Sequence, residues 1–157
     1  MAVVDRLGHD DAMIMIAEVV SQRSLCYRSR VGAVVCDSAR RLVAVGWNAP
    51  PAGLETAGRS CAFWCPRGAG LSHKPGYADC NAVHAEANAL IHAERGELVG
   101  GTAYVTRVPC APCAKQIAAA GILRVVCGAD EGGKYHDPVG IFEMLEAFGV
   151  KAEVYGG

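Results

Sequence analysis

The chain has 157 residues, 52% hydrophobic and 20% charged, enough to bury about two-thirds of its unfolded surface around one core, which excludes disordered and fibrous classes. Its 15 Lys plus Arg against 16 Asp plus Glu give a formal charge of -1, which argues against the broad basic footprint of a polymeric nucleic-acid binder while leaving room for a local phosphate contact. The opening "MAVVDRLGHDD" lacks a basic segment followed by an apolar core, and the next apolar run, "AMIMIAEVV", is short and carries Glu18, so a single cytoplasmic domain over residues 1–157 is expected.

In chain order, Asp10 and Asp11 are expected to cap a first helix with an apolar face of Met13, Ile16, Ala17 and Val20. "VGAVVCD" and "RLVAVGWN" flank the polar "SARR" and predict an antiparallel hairpin, buried enough to be almost continuously apolar. Residues 49–83 lack periodicity and are rich in Gly, Pro and Cys, an unusually long irregular stretch for a compact domain. "NAVHAEANALIHAERG", residues 81–96, reads as an amphipathic helix. "TAYVT", "CAKQIAAAG" with Gly121 at its C-cap, "LRVVCGA", "DPVGIFEMLEAFG" and "VKAEVY" then alternate strand and helix. That order implies parallel right-handed crossovers. The expected fold is a three-layer α/β/α sandwich with a five-stranded mixed sheet.

Chemistry concentrates in "HAE" at 84–86 and "PCAPC" at 109–113. His84, Cys110 and Cys113 are metal-ligand types. A lone helical His is usually structural and a lone CxxC can be a redox pair, but together they supply three ligands from two helix starts, with Pro109 setting the entry to the second. Three ligands leave the fourth tetrahedral position open, as in a catalytic zinc site. Glu86, one residue beyond His84, can reach a water there without binding the metal. The spacing HxE…PCxxC is that of zinc-dependent deaminases, in which the Glu is the general acid/base.

The stretches "SLCYRSRVGAVV", "VGWNAPPAG", "CNAVHAEANALI", "GTAYVTRVPCAPCAKQIAAAGILRVV" and "KYHD" give the chain a nearly full-length resemblance to the deoxycytidylate (dCMP) deaminase family of the cytidine deaminase-like superfamily. That resemblance implies zinc on His84, Cys110 and Cys113, with Glu86 shuttling protons from water to N3 of a cytosine ring and then to departing ammonia. It also implies that Asn48 contacts the substrate's sugar or base, that the Ala85 amide holds the pyrimidine carbonyl, and that the protein is a homo-oligomer acting on a small aminated pyrimidine. The family's usual glycine after the asparagine is Ala49 here, and Val108 stands where nucleotide-acting relatives often carry a polar residue. A free base, a nucleoside or a triazine-like ring is the alternative substrate. A tRNA adenosine deaminase is disfavoured by the near-neutral charge, and a purely structural zinc module by Glu86 and the open ligand position.

Further features stand outside that motif. Arg28 and Arg30, just before the first strand, fit either a phosphate contact or solvated charges on a turn, and Tyr135 either covers the ring or packs within its own loop. Phe63 and Trp64 fit an active-site rim or a subunit contact. Cys61, Cys65 and Cys80, with Cys26 or His73, form either a second, structural zinc site, as the resemblance also implies for some members, or a set of small buried hydrophobes. Cys36 and Cys127 fall in apolar strands and are expected in the core.

Overall fold

A computed structural model describes residues 5–72, 79–129 and 137–156. Five strands, β1 (Gly32–Cys36), β2 (Leu42–Trp47), β3 (Thr102–Val105), β4 (Arg124–Cys127) and β5 (Lys151–Val154), form one sheet in the order β2-β1-β3-β4-β5. β1 runs antiparallel to β2 and β3, and β3, β4 and β5 are parallel. The helices are α1 (His9–Ser21), α2 (Ala85–Ile91), α3 (Arg95–Leu98), α4 (Ala111–Ala119) and α5 (Pro138–Ala147). Among the described residues no helix is long and apolar enough to cross a membrane.

Strand alternation divides the core into two layers. Ala33, Val35, Ala103, Val105, Val125 and Cys127 face α2, α4 and α5, which contribute Ala85, Ala89, Ala114, Ile117, Ile141 and Leu145. Val34, Cys36, Tyr104 and Val126 face Ile14 and Ala17 of α1 on the other side. Every residue of β1 is buried, which is why its sequence is apolar without alternation. Cys36 and Cys127 are core residues, both fully buried.

Two local expectations are corrected. The cap of α1 is Gly8, with no side-chain capping bond, and Asp10 and Asp11 lie in its first turn. Their carboxylates are taken by tertiary partners: Asp10 accepts from Tyr104 Oη at 2.7 Å and Arg124 Nη2 at 2.6 Å, and Asp11 accepts from Tyr155 Oη at 2.7 Å. The amphipathic stretch 81–96 is not one helix. α2 starts after His84 and ends at Ile91, and the Glu94 N–H is instead taken by the Glu97 carboxylate at 3.1 Å, starting α3. A side-chain acceptor in the next turn competes with helix continuation.

The irregular stretch after β2 is pinched at its base. Ala49 and Val83 exchange two backbone hydrogen bonds, of 3.1 and 2.8 Å, so the loop returns to within one residue of His84. Inside it, a 3₁₀ turn spans Cys61–Phe63.

Candidate active site

The sheet presents the carboxyl end of β3 beside the start of α2, and two helix caps meet there. His84 is the N-cap of α2 and Cys110 the N-cap of α4, each with extended backbone and no side-chain capping bond. Both side chains are therefore available to each other. Pro109 precedes this cap, and the proline within the first turn of α4 is Pro112, whose missing N–H costs nothing there. His84 Nδ1 lies 3.4 Å from the Sγ of Cys110 and 3.4 Å from that of Cys113.

All three donor atoms lie within 4.8 Å of one another. Zinc–nitrogen and zinc–sulfur bonds at the tetrahedral angle place N and S roughly 3.5 Å apart, so the trio fits zinc. The electrostatics fit too. The contact with Cys113 draws the Cys110 thiol well below its usual range, and the contact with Cys110 raises the His84 imidazole. Electron pairs pressed together in this way are the donor set a divalent cation relieves.

Glu86, in the first turn of α2, is only 7% exposed, and burial holds its carboxyl above the usual carboxylate range. It lines a cavity of about 600 Å³ together with His84, Ala85, Cys110 and Asn48. Arg28 and Trp64, also singled out in the sequence, line it as well. Phe63 is not in this lining; it is exposed, with Arg59 stacked 5.3 Å from its ring centroid. Asn48 is also structural: its Oδ1 accepts from Val31 N at 2.9 Å and its Nδ2 donates to Ser29 O at 2.8 Å. Each of those two atoms retains capacity for one further bond. His73 and Tyr135 lie outside the described residues.

Cys26 and the insertion cysteines Cys61, Cys65 and Cys80 reach the same cavity as two pairs. Cys26 and Cys61 have Sγ atoms 3.7 Å apart, and Cys65 and Cys80 are 3.8 Å apart. The Asn81 N–H points at the Cys65 sulfur at 3.4 Å, and burial, which would raise this thiol, is outweighed by such backbone donors, so the net shift is down. All eight cysteines are free thiols. Sequence reasoning missed Arg67 and Arg107, which also line the cavity. A signal for the second was present, a cation just past a strand at the carboxyl edge of an α/β sheet.

An α/β/α sandwich with a His–Cys–Cys donor set that fits zinc and a buried carboxylate lining the same cavity is the arrangement of a zinc-dependent hydrolytic deaminase. The chain belongs to the family of the cytidine and deoxycytidylate deaminase zinc-binding region, whose model matches residues 8–129. It is 50% identical over 129 residues to the deoxycytidylate deaminase of Mycobacterium phage D29, covering 78% of this chain and 96% of that one. The deoxycytidylate deaminase of Enterobacteria phage T4 is 32% identical over 148 residues, covering 73% and 74%. The crystal structure of dCMP deaminase from the cyanophage S-TIM5 in complex with dCMP and dUMP superposes with a TM-score of 0.73 at 30% identity, covering 97% of this chain and all of that one.

Proposed function

We propose that this protein, acting as one deaminase domain, hydrolyses dCMP to dUMP and ammonia. The observation that carries the reading is the juxtaposition of the His84, Cys110 and Cys113 donor set with the buried carboxylate of Glu86 in one cavity. The dCMP deaminases of Mycobacterium phage D29 and cyanophage S-TIM5 support the choice of substrate.

His84, Cys110 and Cys113 would hold the zinc. When bound, zinc supplies Lewis acidity that makes water a nucleophile at neutral pH. Glu86 takes the proton as the water oxygen bonds to C4 of the ring. It delivers that proton to N3, then takes the proton of the new C4 hydroxyl and passes it to the amine, so that the C4–N bond breaks as the C4 carbonyl of uracil forms and ammonia departs. The backbone N–H of Ala85 holds the pyrimidine carbonyl. Asn48 fixes the loop over residues 29–31 and gives its remaining amide capacity to the sugar, with Arg28 nearby.

A second zinc on Cys26, Cys61, Cys65 and Cys80 closes the insertion. Two of the six sulfur–sulfur edges, Cys26–Cys61 at 3.7 Å and Cys65–Cys80 at 3.8 Å, have the roughly 3.8 Å length of a zinc–thiolate tetrahedron, and zinc would draw the two pairs together. The clustering of cysteines as metal-ligand types supports a reducing, cytoplasmic setting.

The test is ammonia release by zinc-loaded protein from dCMP, deoxycytidine, cytosine, guanine and triazine amines. Turnover of dCMP above the others is the expected result. An inert dCMP beside an active free base overturns the substrate, and inertness toward all five overturns the reaction.

A further inference from the structure

Among the described residues the buried polar side chains are Ser21, Ser24, Asp37 and Glu86. Three of them act close to home. Ser21 Oγ donates to Glu18 O of its own helix at 2.7 Å, Asp37 pairs with Arg41 across the turn between β1 and β2 at 2.7 Å, and Glu86 lines the cavity. Ser24, only 4% exposed, instead joins segments far apart in the chain: its Oγ donates to Asn48 O at 2.9 Å and accepts from Cys26 N at 3.1 Å.

The hydroxyl is delivered from a firm mount. Ser24 N donates to Ser21 O at 3.0 Å in the turn that ends α1, and α1 is seated on β1 so closely that a Cβ added to Gly32 would overlap the Ala17 carbonyl oxygen. The peptide group that Ser24 meets is held at its other pole as well. A trans peptide points its C=O and N–H in opposite directions. Here the oxygen between Asn48 and Ala49 meets Ser24, while the N–H of the same group donates to Val83 O at 3.1 Å, one residue before His84. One peptide plane thus bridges the end of α1 and the approach to α2.

The Asn48 side chain, bonded to Val31 N and Ser29 O, lines the cavity from this plane. A hydroxyl has one hydrogen to give, and a half-buried carbonyl that loses its donor is costly. Without Ser24 that cost is relieved by rotating the 48–49 peptide, which carries the Asn48 side chain with it. Order established before the ligand arrives lowers the entropy cost of binding, so the effect of the hydroxyl falls on binding and not on proton transfer.

We propose that Ser24 is a positioning residue: its hydroxyl fixes the Asn48–Ala49 peptide and thereby holds the Asn48 side chain in register with His84 and Glu86. The assignment rests on the deaminase reading, in which the Asn48 amide meets the sugar while Glu86 works at the amine.

The test uses the zinc-loaded full chain as wild type, S24A, S24T, N48A and the S24A/N48A double variant. For S24A, KM for dCMP is expected to rise about 3- to 10-fold, the worth of one hydrogen bond, with kcat and zinc content near wild type. S24T keeps the hydroxyl and should recover most of the loss. In the N48A background S24A should cost nothing further, because a residue that acts through Asn48 has no effect once that side chain is gone. Hydrogen exchange at the Ala49 amide should be faster in S24A than in wild type. A wild-type KM in S24A, or the same loss in both backgrounds with zinc retained, overturns the proposal. S24G takes the place of S24A in both backgrounds if alanine loses metal or fold. Should wild type release ammonia from no amine, the deaminase reading falls, and the exchange measurement alone decides Ser24: faster exchange at Ala49 in S24A upholds its grip on the peptide, and unchanged exchange overturns it.

Discussion

Gly46 of β2 lies directly against the backbone of Ala89 of α2: a Cβ added to Gly46 would overlap the Ala89 nitrogen and the Ala85 carbonyl oxygen. Strand and helix therefore meet backbone to backbone, which fixes the height of the helix that carries Glu86 and follows His84. Asn88 reinforces the contact, its Nδ2 donating to Trp47 O at 2.9 Å. G46A must push α2 outward, and overpacking of this kind costs about 1–3 kcal/mol. Thermal unfolding should show a midpoint several degrees lower, and zinc analysis a weakened site. A variant with wild-type midpoint, zinc content and turnover would show that the contact does not position the helix.

Replacement of Glu86 by glutamine keeps the side chain's size and removes its ability to accept a proton. Turnover should fall at least about 10²- to 10⁴-fold, the usual contribution of general acid–base help, with zinc still bound. Single-turnover ammonia release with metal analysis on the same sample checks it. Near-normal turnover would remove Glu86 from the mechanism.

The insertion cysteines make a separate prediction. Metal analysis should give two zinc ions per chain, and C80S should lose one of them together with several degrees of thermal stability, while the His84 site stays filled. One zinc in wild type with the His84 site occupied would return these thiols to the role of small hydrophobes.

The pH dependence of stability should be dominated in acid by Asp10. Its hydrogen bonds from Arg124, and next from Tyr104, hold the carboxyl far below the usual range despite the opposing effect of burial, and Glu153, bonded to Lys151 and Arg124, is also lowered. A carboxyl lowered in the folded state stabilises the protein above its unfolded pKa, about 4, and that stability drains away as the pH falls further. Asp10 is a third exposed, so screening leaves ~1 kcal/mol. In urea unfolding, D10N should be weaker than wild type at neutral pH and flatter in its decline through acid. Parallel curves for the two proteins would count against the network.

The donor set and the buried carboxylate near it were legible in the sequence because ligation depends on side-chain type and on spacing within single turns. "HAE" and "PCAPC" carry both. The sheet was legible because β1, β3 and β4 write their burial directly as apolar runs, and Gly121, with φ of +88°, ended its helix as its residue type predicts. Other features depended on partners distant in the chain. Asp10 and Asp11 became tertiary ligands because Arg124 and Tyr155 arrive from the other end of the chain, a pairing that outweighs a local cap. The 81–96 stretch broke after Ile91 as the Glu97 carboxylate took the Glu94 N–H. The chain by itself determined the donor set, the carboxylate that follows His84 and the layered fold. Only the tertiary structure brought Arg107, Arg28 and the insertion cysteines onto one cavity with Glu86, because the shape of a cavity is set by contacts between segments that sequence spacing does not encode.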